Sequence, residues 1–136
     1  MNRLVLDTNI VVSGFIFGGI PRQIINLCRN VFCKSLVSFP MLNELARVLR
    51  YKKFNLALDQ AISLVIDYGQ ISELVEVDKV HFQVIREDET DNIILDCAVA
   101  GNADFIITGD KHLLNLGEFQ GIKIVKPITF VKDFLS

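Results

Sequence analysis

The sequence predicts an α/β fold with a mostly parallel central sheet and helices on both of its faces. Short, apolar, β-branched runs alternate along the chain with stretches whose apolar residues recur at helical spacing, and strands separated by helices imply parallel pairing. A hydrophobic fraction of 51% against 22% charged provides for a well-buried core. At 136 residues the chain is expected to form a single domain over 1–136.

Taken in order, LVL (4–6) reads as a fully buried strand and 10–17 as a short helix, although its nearly unbroken apolar character leaves periodicity ambiguous. A Gly-Gly break follows, with Pro21 at a first helical position and Ile24, Ile25, Leu27 and Cys28 on one apolar face. A strand is expected at 34–38. Pro40 then opens a helix to about Arg50, with Leu42, Leu45, Ala46 and Leu49 at helical spacing. Residues 57–69 repeat that spacing through Ala61, Ile62, Val65 and Ile66, and for the apolar residues of both 10–17 and 57–69 core packing is favoured over an interface. A strand at 71–77 and a turn or short helix at 79–85 precede the acidic loop REDETD. NIILDCAVAGNA is a buried helix capped by Gly101 or Asn102. DFIIT is a strand, GDKHLLNL a turn and short helix, IKIVKP a strand and ITFVKDFLS a terminal helix.

Composition excludes several classes. Such a hydrophobic chain is no disordered tail, and no apolar run approaches the roughly 20 residues that cross a bilayer. Asp7 interrupts the N-terminal apolar residues too early for a signal peptide, so a soluble, cytoplasmic protein is expected. Cys28, Cys33 and Cys97 form no CxxC pair or zinc-finger spacing and are read as buried free thiols. A net charge of −2 places any nucleic-acid contact in a local patch. TGDKH lacks the phosphate-loop pattern, and GFIFGG is no dinucleotide fingerprint.

The acids carry the chemistry. Ligands of open α/β sheets bind beyond the carboxyl ends of the strands. Asp7 follows LVL directly, and Asp110 follows FIIT by one glycine. Glu44, early in the helix after the second strand, and Asp91, at the start of the helix before FIIT, reach the same rim if the connections are ordinary crossovers. Carboxylates about 5 Å apart would repel by roughly 3 kcal/mol per ionised pair at an effective dielectric near 20. Protons or a divalent ion with oxygen ligands would relieve this. Each acid also has a plainer role: Asp7 as a helix N-cap, Glu44 paired with Arg47, Asp91 or Thr90 as a cap, and Asp110 as a turn residue.

LVLDTNIVVSGF, FPMLNELARVL and DETDNIILDCAVAGNADFIITGDKHLL together resemble the PIN-domain family, in the branch of VapC-like toxins of toxin–antitoxin systems. The resemblance spans nearly the whole chain. It implies a three-layer α/β/α fold and a metal-dependent ribonuclease with an acidic Mg²⁺ or Mn²⁺ site. Asp7, Glu44, Asp91 and Asp110 match the four acidic positions: Asp7 and Asp110 as direct ligands, Asp91 as ligand or water-holder, and Glu44 as water-orienting base or second ligand. Asn9 and Thr108 match supporting polar positions. Asp96 matches an additional acidic position, although about 140° around an ideal helix from Asp91 it has surface solvation as its alternative. Asp88 falls in an acidic slot of the loop, where DETDN departs from the usual D-P-D-D-N.

An RNA backbone needs cations beside such a site. Arg47, Arg50 and Lys111 are the expected phosphate contacts. Lys52, Lys53 and His112 join them as candidate phosphate contacts, with a solvated helix end as the alternative, weightier for Lys52 and Lys53 than for Arg47; as a general acid His112 is less expected than as a surface turn residue. No aromatic-rich RNA-reading motif is present. The resemblance also implies a homodimer, a protein antitoxin and no membrane partner. Two rival readings are a phosphoacceptor or phosphatase-like domain using Asp7, against which DTN stands where DxD would be expected, and a non-catalytic RNA-binding PIN module, against which the presence of all four acids argues.

Overall fold

The structure, a computed structural model, describes residues 1–77 and 89–135. Strands β1 (Asn2–Leu6), β2 (Cys33–Val37), β3 (Ser72–Leu74), β4 (Phe105–Ile107), β5 (Glu118–Phe119) and β6 (Ile122–Val125) form one sheet in the order β3-β2-β1-β4-β6-β5. All neighbours are parallel except β5 and β6. The expected architecture is therefore present, with helices α1 (Thr8–Ile16), α2 (Gly19–Arg29), α3 (Phe39–Leu49), α4 (Leu58–Ile71), α5 (Glu89–Ala100), α6 (Lys111–Leu116) and α7 (Pro127–Thr129) flanking the sheet.

The strand order fixes the functional edge. From β1 the chain moves outward through β2 to β3, then returns to place β4 on the other side of β1 and moves outward again to β6. The sheet's direction of growth reverses between β1 and β4, and the crevice beyond the carboxyl ends of such a strand pair is where open α/β sheets bind ligands.

Several expected boundaries move for local reasons. Helix α2 begins at Gly19, so Pro21 sits in the first turn, where its missing N–H costs nothing. Ser38 caps α3, accepting from the Met41 N–H at 3.4 Å, and Pro40 is the second helical residue. The strand expected at 71–77 shrinks to β3, because α4 continues through Ile71. β5 is additional: Gln120 and Gly121, both at positive φ, form the tight turn that folds it back on β6. The terminal helix is a single turn, α7, running into a π-helical segment, Phe130–Phe134. The segment expected at 79–85, and Asp88, lie outside the described residues.

Strands β1, β2 and β4 form the centre of the core through Leu4, Leu6, Leu36, Ile106 and Ile107, all inaccessible to solvent. Helix α5 packs against β1, β2, β4 and α3, and is buried around nearly its whole circumference. Its end divides two roles between neighbours. Asn102 takes the left-handed conformation at φ 53°, while Gly101 admits close packing: a Cβ there would lie 2.9 Å from Leu36 and 3.0 Å from Val75. Arg3 on β1 ties this end down, donating to the Gly101 carbonyl at 2.8 and 3.0 Å and to Glu73 on β3 at 2.7 and 3.3 Å. The three thiols are free and buried as expected, and burial pushes Cys28 and Cys97 up to about 12.

Core packing does not hold throughout 10–17, where Phe17 is exposed at the end of α1, or throughout 57–69. Ala61 and Tyr68 are buried, whereas Ile62 and Ile66 are exposed on the outer side of α4. Among the described residues no single helix is long and apolar enough to cross a membrane.

Helices α1 and α2 meet at Gly14, where a Cβ would stand 2.5 Å from Ile25 Cδ1 and 3.1 and 3.2 Å from the backbone of Pro21 and Arg22. Backbone cannot rotate away as a side chain can. Gly14→Ala is expected to destabilise the protein by about 1–3 kcal/mol, read as a lower denaturant midpoint. An unchanged midpoint would show that the two helices separate at no cost.

Candidate functional site

Asp7 directly follows β1 and Thr108 directly follows β4. The Asp7 N–H donates to the Ile107 carbonyl at 3.0 Å, which carries the β1–β4 pairing one residue beyond the strand. Register then places Thr108 opposite Asp7, and its hydroxyl donates to Asp7 Oδ2 at 2.6 Å. The same hydroxyl accepts the Asp110 N–H at 3.0 Å. One buried threonine thus fixes the Asp7 carboxylate and the start of the Asp110 turn together.

Asp7 occupies the N-cap position of α1, but its carboxylate only faces the Thr8 and Asn9 backbone N–H groups and closes no well-formed capping hydrogen bond. Asp110 does cap: its Oδ1 accepts from the His112 and Leu113 N–H groups at 2.7 and 3.4 Å. This holds the Asp110 carboxylate beside the sheet edge.

Asp7 is 5% exposed, and burial raises its pKa above the ordinary carboxylate value. The Thr108 hydroxyl opposes that shift, the nearby Asp110 charge adds to it, and the Asn9 and Thr8 amides oppose it further. The charged neighbour acting on this buried carboxylate is therefore another carboxylate.

The other expected residues fall as follows. Glu44 and Arg47 form a two-pronged ion pair on α3 at 2.5 and 3.2 Å, and Arg47 also donates to the Tyr51 hydroxyl at 2.8 Å. Arg47, expected on RNA phosphate, is occupied here because the i,i+3 spacing puts a carboxylate within its reach. Arg50, Lys111, His112 and Asn9 are exposed. Asp91 and Asp96 are both buried on α5. The surface-solvation alternative for Asp96 fails because α5 is enclosed on nearly all sides. Asp96 lines a cavity of about 350 Å³ shared with Ser38, Pro40 and Ile93. Among the described residues, no group of three or more His, Cys, Asp or Glu side chains is placed to hold a metal ion. Asp7 and Asp110 are joined through Thr108.

Sequence reasoning missed a groove beside Asn9, lined also by Val12, Ser13, Phe17, Lys53 and Phe54. No signal along the chain marks it, because Phe17 and Phe54 meet only in the folded state.

The fold and site define an α/β domain with a carboxylate pair at the switch point of its sheet. The PIN domain family profile matches residues 3–112, and the chain belongs to the PIN-domain family. No curated protein matches it in sequence. Among solved structures, it shares its fold with a chain from the crystal structure of VapBC2 of Rickettsia felis bound to a DNA fragment from their promoter. The TM-score is 0.65 at 18% identity, over 90% of this chain and 96% of that one.

Two outcomes test the site's electrostatics. A carboxyl whose folded-state pKa is raised stabilises fully only below its unfolded value, and that stability is lost as pH rises through the folded value. Asp7→Asn, which keeps an acceptor for Thr108, is therefore expected to gain stability relative to the wild type as pH rises above the ordinary carboxylate value of about 4. Urea midpoints of both proteins across that range check it, and a difference independent of pH would refute it. Thr108→Val leaves Asp7 Oδ2 without its donor and is expected to cost about 1–3 kcal/mol by the same measurement.

Proposed function

We propose that this protein is a metal-dependent ribonuclease that hydrolyses RNA phosphodiester bonds, using Mg²⁺ or Mn²⁺, as the toxin of a toxin–antitoxin pair. The carrying observation is the buried Asp7 carboxylate set against Asp110 at the switch point of the sheet. Membership in the PIN-domain family and the fold shared with a chain of VapBC2 support the reading.

The donor set suits a hard divalent ion. Burial and the Asp110 charge both penalise ionised Asp7, and a cation would reverse that penalty. Magnesium commonly binds through one or two carboxylates, keeping waters and leaving room for phosphate oxygens, so a pair is a sufficient anchor. Asp7 and Asp110 would hold the ion, with Asp91 as a further ligand or water-holder and Asp96 as a secondary candidate ligand. When bound there, such an ion supplies a water of lowered pKa and neutralises charge on the leaving oxygen.

The chain's own groups do the rest. Thr108 orients Asp7, and the amides at the start of α6 orient Asp110. Exposed Arg50 and Lys111 contact the RNA backbone. Glu44 serves as a water-orienting base only when its pair with Arg47 opens, which also releases Arg47 to phosphate. A protein antitoxin and a second copy of the chain are the proposed partners, and exposed Ile62 and Ile66 offer apolar surface to one of them.

Cleavage of a structured RNA pool with Mn²⁺ or Mg²⁺ tests this reading. Asp7→Asn and Asp110→Asn are each expected to lower the rate by at least about 100-fold. Equal metal-dependent cleavage by wild type and Asp7→Asn removes Asp7 from the mechanism. Independently of activity, Mn²⁺ at about 100 times its dissociation constant should stabilise the wild type by about 2.7 kcal/mol, and Asp7→Asn by much less.

A further inference from the structure

We propose that the groove beside Asn9 is a stacking subsite for an unpaired base of single-stranded RNA, with Phe17 as its platform; this rests on the nuclease reading of the adjoining carboxylate site. The groove encloses about 380 Å³. Asn9 lies two residues after Asp7 in the first turn of α1, and Phe17 follows the last turn of that helix. At 1.5 Å per residue the two are roughly 12 Å apart along the axis, so the groove leads away from the carboxylates along α1.

Its chemistry fits a nucleotide. Phe17 is 74% exposed, and its ring meets Phe54 edge-on at a centroid distance of 6.3 Å and an interplanar angle of 61°. That contact braces the Phe17 ring while leaving most of it open. Base-on-aromatic stacking is tolerant of sequence and is the usual grip on single strands. The Lys53 ammonium stands 5.2 Å from the Phe54 ring centroid, where a phosphate would be within reach. Asn9 supplies an amide able to pair with a base edge. Among the described residues the lining contains one cation and no acid, beside a site that is itself acidic. An apolar protein segment would use the Phe17 ring, but it gives no use to the lysine and amide; a base with its phosphate uses all three.

The chain contains no tryptophan, so Phe17→Trp introduces a single indole at the platform. Titration with a short unstructured RNA in EDTA, which removes metal-dependent cleavage, is expected to quench that indole with an affinity close to the wild type's. Phe17→Leu keeps the apolar surface but not the stacking face, and should bind about tenfold more weakly. Because Phe17 is largely exposed, unchanged thermal midpoints are expected for both variants. Equal affinity of Phe17→Leu and the wild type, an unquenched indole, or no RNA binding by the wild type each overturns the subsite; equal affinity would leave the groove to a protein partner. Loss of the nuclease reading looks different: the wild type shows no metal-dependent cleavage, while RNA binding still depends on an aromatic residue at position 17.

Discussion

The hydrogen bond from Thr108 to Asp7 is the interaction on which the site depends. It joins residues 101 positions apart in sequence, and it exists because β1 and β4 are parallel neighbours in register. If that pairing slipped by one residue, the side chains of one strand end would turn to the opposite face and the two carboxylates would lose their common anchor. The bond also makes a buried carboxylate tolerable, since an ionised group without a donor there would carry most of its desolvation cost. Thr108 performs a second task by accepting the Asp110 N–H, so one hydroxyl sets the geometry of both acids.

The surrounding fold is arranged to keep those strand ends still. Solvent-inaccessible residues of β1, β2 and β4 fill the centre, and α5 lies across all three. Arg3 closes the opposite end of the sheet by binding the carbonyl at the end of α5 and the carboxylate of Glu73 on the outer strand. Gly101 and Gly14 permit helix contacts that any side chain would obstruct. The rigid part of the molecule is thus the part that aims Asp7 and Thr108, while the exposed cations and the Phe17 groove stand on its outer surface.

Electrostatics gives this rigidity its chemical meaning. A protein evolving for stability alone gains nothing from a carboxylate whose burial and carboxylate neighbour both disfavour its charge. That penalty is the kind a cation removes. Three other acids among the described residues are matched by cations: Glu44 with Arg47, Asp67 with Arg29 and Glu73 with Arg3. The contrast between those pairs and Asp7 with Asp110 separates surface ion pairing from a candidate ligand site.

Most of the element order was legible in the sequence, because local patterning carries it. The apolar run before Asp7, the helical spacing from Leu42 to Leu49 and FIIT before Gly109 identify β1, α3 and β4 by composition alone. Asp7 and Asp110 were legible as candidates for the same reason: position after a strand is a local property. What local pattern could not decide is which groups meet. Taken alone, Glu44 read more readily as a partner of Arg47 than as a site acid, and side-chain placement on α3 shows the ion pair. Asp96 was readable either as a further site acid or as a solvated residue, because helical phase sets it apart from Asp91, whereas packing on nearly every side of α5 buries both. Ile62 and Ile66 read as core until the orientation of α4 left them outside. Phe17 and Phe54 gave no sign of each other, since nothing in a chain's local periodicity encodes an approach between segments that only the completed sheet and its helices bring together.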